Sequence, residues 1–94
     1  MIHPNYHGGR VTLGRIYFEK GELGKAEQEL SKITKYLPDN LLTYQLLGKI
    51  YLHNKELDQA LEVFERICVL NPGDEKAGQT LQELRSRVGV VKEG

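Results

Sequence analysis

The three prolines of the chain, Pro4, Pro38 and Pro72, are 34 residues apart. The period is not confined to proline. Leu13, Gly14, Ile16, Tyr17, Glu22, Leu23, Ala26, Ile33 and Pro38 are matched without a gap by Leu47, Gly48, Ile50, Tyr51, Glu56, Leu57, Ala60, Ile67 and Pro72. Self-similarity at this spacing restricts the chain to stacked copies of one supersecondary unit. Such a unit cannot bury its apolar face alone, and its neighbour must cover it.

Within one period the apolar residues recur at helical spacing. Tyr44, Leu47, Gly48 and Tyr51 fall on one face of a first helix, and Leu57, Ala60, Leu61, Phe64 and Ile67 fall on one face of a second. A polar break over His53 to Glu56 separates them, so the pair folds back as an antiparallel hairpin. Gly48 and Ala60 remove side-chain bulk, one on each helix, which lets the two axes approach closely.

The core aromatic-x-x-Leu-Gly-x-x-Tyr, the later Ala-x-x-x-Phe and the closing Pro resemble the tetratricopeptide repeat, with Tyr44 standing where that family most often has Trp. The resemblance implies an all-α, right-handed α-solenoid of two helix-turn-helix repeats followed by a C-terminal capping helix. Residues 6–38 and 39–72 are then the repeats, and residues 73–88 the cap. A tail follows over 89–94. Residues 1–5 read as the remnant of a preceding repeat in a longer protein.

Local signals refine these boundaries. The first helix is expected from Tyr6 to Lys20, weakened at Gly8 and Gly9, with Gly21 as the left-handed stop. The second is expected from Leu23 to Tyr36, ended by Pro38, and Asp39 or Asn40 caps the third. In the second repeat the left-handed role falls to Asn54, the next best residue after glycine. Asp74 caps a fifth helix over 75–88 whose apolar stripe, Ala77, Leu81, Leu84 and Val88, is backed by polar residues, as a solenoid end requires. Val90 and Val91 beyond it are left open between folding back and disorder.

The expected core takes Leu13, Ile16, Tyr17, Leu23, Ala26, Leu30 and Ile33 from the first repeat. The second supplies Tyr44, Leu47, Tyr51, Leu57, Ala60, Phe64 and Ile67, and the cap supplies Leu81 and Leu84. Gly14 and Gly48 sit at the helix crossings. Arg10 and Leu30 occupy positions that are aromatic in the second repeat, so the first hairpin is expected to be the softer one. With its outer side uncovered, the first helix pair is also expected to self-associate weakly.

Thirteen basic residues balance thirteen acidic ones, which gives no sign of a nucleic-acid or membrane-surface partner. No apolar run approaches the length that spans a bilayer, and the first residues carry Pro, Asn and Gly where a secretory signal needs an apolar core. The cytoplasm is the default expectation for the compartment. The single cysteine excludes an internal disulfide.

Candidates for chemistry are few. His3 and His7 have ligand spacing for a helix but no acidic or thiol partner nearby, so no metal is expected. His53 suits the C-terminal end of its helix, and Cys68, between Ile67 and Val69, reads as a small apolar residue. No catalytic constellation and no cofactor motif is found, and the expected role is non-catalytic.

The family resemblance implies that the first helix of each pair lines a concave groove for a protein or peptide partner. The groove positions are Val11, Arg15, Phe18 and Glu19 in the first repeat, Leu42, Gln45, Lys49, Leu52 and His53 in the second, and Lys76, Gln79 and Glu83 in the cap. One period relates Arg15 to Lys49 and Phe18 to Leu52, so a peptide pairing an acidic group with a bulky apolar one is the expected ligand. The Asn that some family members use to clamp a terminal carboxylate is missing from both repeats. Two classes stay open: a peptide-binding interaction module, and structural spacer repeats of a larger protein with no ligand of their own.

Overall fold

The computed structural model describes the backbone over residues 7–93 and the side chains over residues 9–88. Five helices follow one another: α1 (His7–Glu19), α2 (Leu23–Ile33), α3 (Leu41–His53), α4 (Leu57–Leu70) and α5 (Glu75–Glu93). No strand interrupts them among the described residues. The chain is an all-α solenoid in which α1 packs on α2 and α3 on α4, while α5 closes against α4. Contacts of α2 with α3 and of α1 with α3 join the two hairpins. The expected remnant at residues 1–5 lies outside the described residues.

The 34-residue period holds for the backbone hydrogen bonds that end and start the helices. Glu22 N–H reaches Tyr17 O at 2.9 Å and Gly21 N–H reaches Phe18 O at 3.0 Å; Glu56 to Tyr51 and Lys55 to Leu52 repeat the pair at 2.9 and 3.1 Å. Each pair is the double bond of a helix end closed by a left-handed residue. That residue is Gly21, at φ 82°, in the first turn and Lys55, at φ 60°, in the second. Asn54 was the expected left-handed residue, but it stays right-handed at φ −85°. The backbone obeys the register with Gly21, and the lysine takes the strained conformation.

The N-termini of α3 and α5 use the same capping geometry. Asn40 Oδ1 accepts from Thr43 N–H at 2.9 Å and Asp74 Oδ1 accepts from Ala77 N–H at 3.0 Å, each satisfying an amide that the helix leaves without a partner. Thr43 also donates its hydroxyl to Asn40 Oδ1 at 2.9 Å, which is how a fully buried threonine is tolerated.

The glycines at the crossings are held tightly. A Cβ on Gly14 would lie 2.6 Å from Leu30 Cδ2 and 2.7 Å from its Cγ, and a Cβ on Gly48 would lie 2.9 Å from Phe64 Cε2. Ala26 and Ala60 are fully buried. The hairpins therefore cross where small residues allow it, as the sequence pattern implies.

Several expectations are corrected. Leu13 and Ile16, placed in the core by their spacing, are 38% and 40% exposed, because no helix covers that side of α1 among the described residues. Their counterparts Leu47 and Ile50 are buried against the preceding hairpin. Leu46 and Val63 join the core although the pattern did not single them out, and Ala77 of the expected α5 stripe joins it too. α2 stops at Ile33, and the following turn is closed by Tyr36 and Leu37 amides that both reach Ile33 O. α5 runs on to Glu93, past the end expected at Val88.

Candidate functional site

The exposed stripe of α3 is set by helical geometry. Leu42, Gln45, Lys49 and Leu52 follow one another at three, four and three residues, while Thr43, Leu47, Ile50 and Tyr51 turn inward. α5 packs on α4 beside this stripe and leaves a trough between the three helices. One cleft of about 380 Å³ is lined by Leu42, Gln45, Leu46, Lys49 and Leu52 of α3, by Phe64 and Ile67 of α4, and by Asp74, Lys76, Ala77 and Thr80 at the start of α5. A second, of about 470 Å³, continues from it through the shared Leu52 and Thr80 to Lys55, Leu57, Glu83, Leu84 and Arg87.

The floor is apolar and the rim is cationic. Leu46, Ile67 and Ala77 are buried, whereas Leu42 and Leu52 leave 40% and 37% of their surface open. Lys49 and Lys76 are exposed on the rim. Among the described residues neither ammonium takes part in an ion pair. Asp74 is the acidic residue of the first cleft, and one of its oxygens is engaged by the Ala77 amide.

Of the residues placed in a groove by the sequence, Leu42, Gln45, Lys49, Leu52 and Lys76 meet in the first cleft and Glu83 lines the second. Arg15, Glu19, His53 and Gln79 are exposed but line neither, and Phe18 is half-buried against the core. Val11 is a correction: it is only 6% exposed and so is not offered to a ligand. Both clefts lie on the α5 side of α3, so Lys49 and Leu52 share them with Lys76, Thr80 and Arg87 instead of with Arg15 and Phe18. Ala77, read from the sequence only as part of the α5 stripe, and Thr80 were not among the expected groove residues. Their spacing of three and the cap at Asp74 were the available signals.

A third hollow, on the face formed by α2, α3 and α4, is lined by Ser31, Thr34, Tyr44, Leu47, Tyr51, Glu62, Val63 and Arg66. Burial, with the Glu27 carboxylate beside it, holds the Tyr51 phenol above its usual range, and the Ser31 hydroxyl partly offsets this. Nearby, Tyr44 donates its hydroxyl to Pro38 O at 2.9 Å, and Arg66 donates to the same carbonyl at 3.0 Å and to Asp39 at 2.8 Å. These groups tie the loop between α2 and α3 to the second hairpin. Among the described residues, no group of three His, Cys, Asp or Glu side chains is arranged to hold a metal ion. No described helix is long and apolar enough to cross a membrane.

Comparison with known proteins agrees with this architecture. Tetratricopeptide repeat models match residues 9–40 and residues 42–74. The BBSome complex member BBS4 of Bos taurus is 30% identical over 81 residues, covering 86% of this chain and 15% of that protein. The chloroplastic tetratricopeptide repeat domain-containing protein PYG7 of Arabidopsis thaliana is 28% identical over 81 residues, covering 86% of this chain and 27% of that protein. The chain thus spans less than a third of either relative. Two matched repeats in register, each a hairpin crossed at Gly14 or Gly48 and closed by a left-handed turn, establish that this chain belongs to the tetratricopeptide repeat family, whose repeats are protein-interaction modules.

Proposed function

We propose that this module holds a peptide segment of a partner protein in the trough between α3, α4 and α5, and that it has no catalytic role. The observation that carries the reading is an apolar floor kept open beside exposed Leu42 and Leu52, while Leu46 and Leu47 of the same helix are buried. Fully burying one such side chain is worth about 1.5 to 3 kcal/mol, so a partner residue seated there dominates the affinity. Two repeats offer one short track, and isolated binding is weak. The bovine relative is named as a member of a complex, which fits a module that works by attachment.

The test is selection of displayed random peptides against the wild-type chain and against Leu42→Asp combined with Leu52→Asp. The wild type should enrich peptides with bulky apolar residues, and the double variant, still helical by circular dichroism, should lose them. If both enrich the same peptides or neither enriches any, the repeats act as a structural spacer.

A further inference from the structure

We infer that Arg66 is a strut that fixes the angle between the two hairpins: by holding α2 off α4 on one face of the stack, it sets how closely α1 approaches α3 on the other. Arg66 acts through the loop it grips and is a positioning residue. The device stands whether or not a peptide occupies the trough.

The stack is packed on one side and open on the other. α3 lies against both α1 and α2, whereas α2 and α4 do not pack on each other. Between them is the hollow of about 390 Å³, with Ser31 and Thr34 of α2 on one wall and Glu62, Val63 and Arg66 of α4 on the other. Across this opening Arg66 donates from Nε and Nη2 to Pro38 O at 3.2 and 3.0 Å, and from Nη2 to Asp39 Oδ1 at 2.8 Å. Tyr44 Oη donates to Pro38 O as well, at 2.9 Å, so one carbonyl of the loop between the hairpins is held from both α3 and α4.

A local partner is passed over to make this reach. Glu62 precedes Arg66 by one turn of α4, at the spacing that favours an ion pair within a helix, yet among the described residues the two form none. A planar guanidinium that takes a carbonyl and a carboxylate together fixes direction as well as distance, which a point charge does not. The strut belongs to this junction alone of the two. One period after Asp39 and Tyr44 stand Gly73 and Gly78, which have no side chain to offer.

The α2–α3 contact lies between the α1–α3 contact and the opening from α2 to α4. A pivot on it that narrows the opening draws α1 away from α3, and the reverse pivot presses them together. The ion pair is open to solvent, with the Asp39 side chain 78% and the Arg66 side chain 39% exposed, so salt weakens that half of the strut and spares the bonds to Pro38 O.

The test is electron paramagnetic resonance between nitroxides in a Cys68→Ala chain. Labels at Lys32→Cys and Val69→Cys read α2 against α4, and labels at Arg15→Cys and Lys49→Cys read α1 against α3; all four sites are exposed. With Arg66 in place each pair should give one narrow distance. Arg66→Leu should lose both single peaks together. Arg66→Lys, which keeps a charge for Asp39 but not the planar fork, should restore them in part, and raised salt should broaden them less than Arg66→Leu does. Glu62→Gln, one turn away on the same helix, should leave both as they are. Peaks that stay single and unshifted in Arg66→Leu would overturn the strut, and equal broadening by Glu62→Gln would reduce it to a general loosening of α4. A change confined to the α2–α4 distance would overturn the coupling to α1 and α3. Should Arg66→Leu lose its helical circular dichroism, Asp39→Ala, which alters the loop and leaves α4 intact, should broaden both distances partway, and unchanged peaks there would overturn the strut.

Discussion

The two repeats share a register and nearly a backbone, yet they bury equivalent residues differently. Leu47 and Ile50 are 3% and 0% exposed, whereas Leu13 and Ile16, one period earlier, are 38% and 40% exposed. Tyr51 is buried and Tyr17 is half-buried. The polar register differs too. Arg10 and Glu29, an ion pair at 3.7 Å, stand one period before Tyr44 and Val63. Hydrogen bonds at the turns are identical in the two repeats because each is made within a few residues. Burial is not, because it depends on the neighbouring hairpin. The core of a repeat is thus a property of its place in the stack as much as of its own sequence.

The largest effect should separate the equivalent leucines. Leu47→Ala removes a buried side chain and should cost about 2 to 5 kcal/mol, while Leu13→Ala should cost about 1 kcal/mol or less. Urea unfolding of both variants measures the difference, and equal costs would mean that the outer side of α1 is covered in solution. The glycine crossings should follow. Leu30 is fully buried and presents its branch carbon to Gly14, whereas Gly48 faces the ring edge of half-buried Phe64. Gly14→Ala should therefore overpack more than Gly48→Ala, within the range of about 1 to 3 kcal/mol for such changes. Thermal melts in which Gly48→Ala is the worse would reverse the ranking of the two crossings.

Smaller effects sharpen the turns and the buried phenol. A left-handed conformation costs a side-chain-bearing residue about 1 to 2 kcal/mol, and glycine returns part of that through its freer unfolded chain, so Lys55→Gly should stabilise by about 0.5 to 1 kcal/mol. Gly21→Lys should lose a similar amount, and both are read by denaturant midpoints. Tyr51 supplies the smallest difference. Its folded-state phenol is held above the unfolded value, chiefly by burial, so its contribution is fully present below about pH 10 and is lost as pH rises through the folded value. Tyr51→Phe should flatten that alkaline loss in a pH series of melts.

Much of the fold was legible because its determinants are local. Pro38, Gly21, Asn40 and Asp74 each act within one turn of the chain, and their roles follow from residue type and spacing. What was misread depends on distance or on competing local terms. Leu13 and Ile16 carry the same pattern as their buried counterparts, and nothing within a repeat tells whether a neighbour will cover them. Asn54 is the better left-handed residue by propensity, but the register of the hydrogen-bonded turn assigns the position to Lys55. α5 continues through Gly89 because no proline or capping signal stops it, and a helix already nucleated extends at modest cost. The outward-facing stripe of α3 was readable from its spacing. Its pairing with Thr80 and Ala77 was not, since that depends on how α5 lies along α4.

The way the helices touch also sets how the chain reaches its fold. Among the described helices, none packs on one more than two places along the sequence. The loop that must close to form each contact is fixed by hairpin length and not by chain length, so its entropic cost stays the same however many repeats are added. Appending a further hairpin to either end is therefore expected to leave the closing rate of each existing contact nearly unchanged.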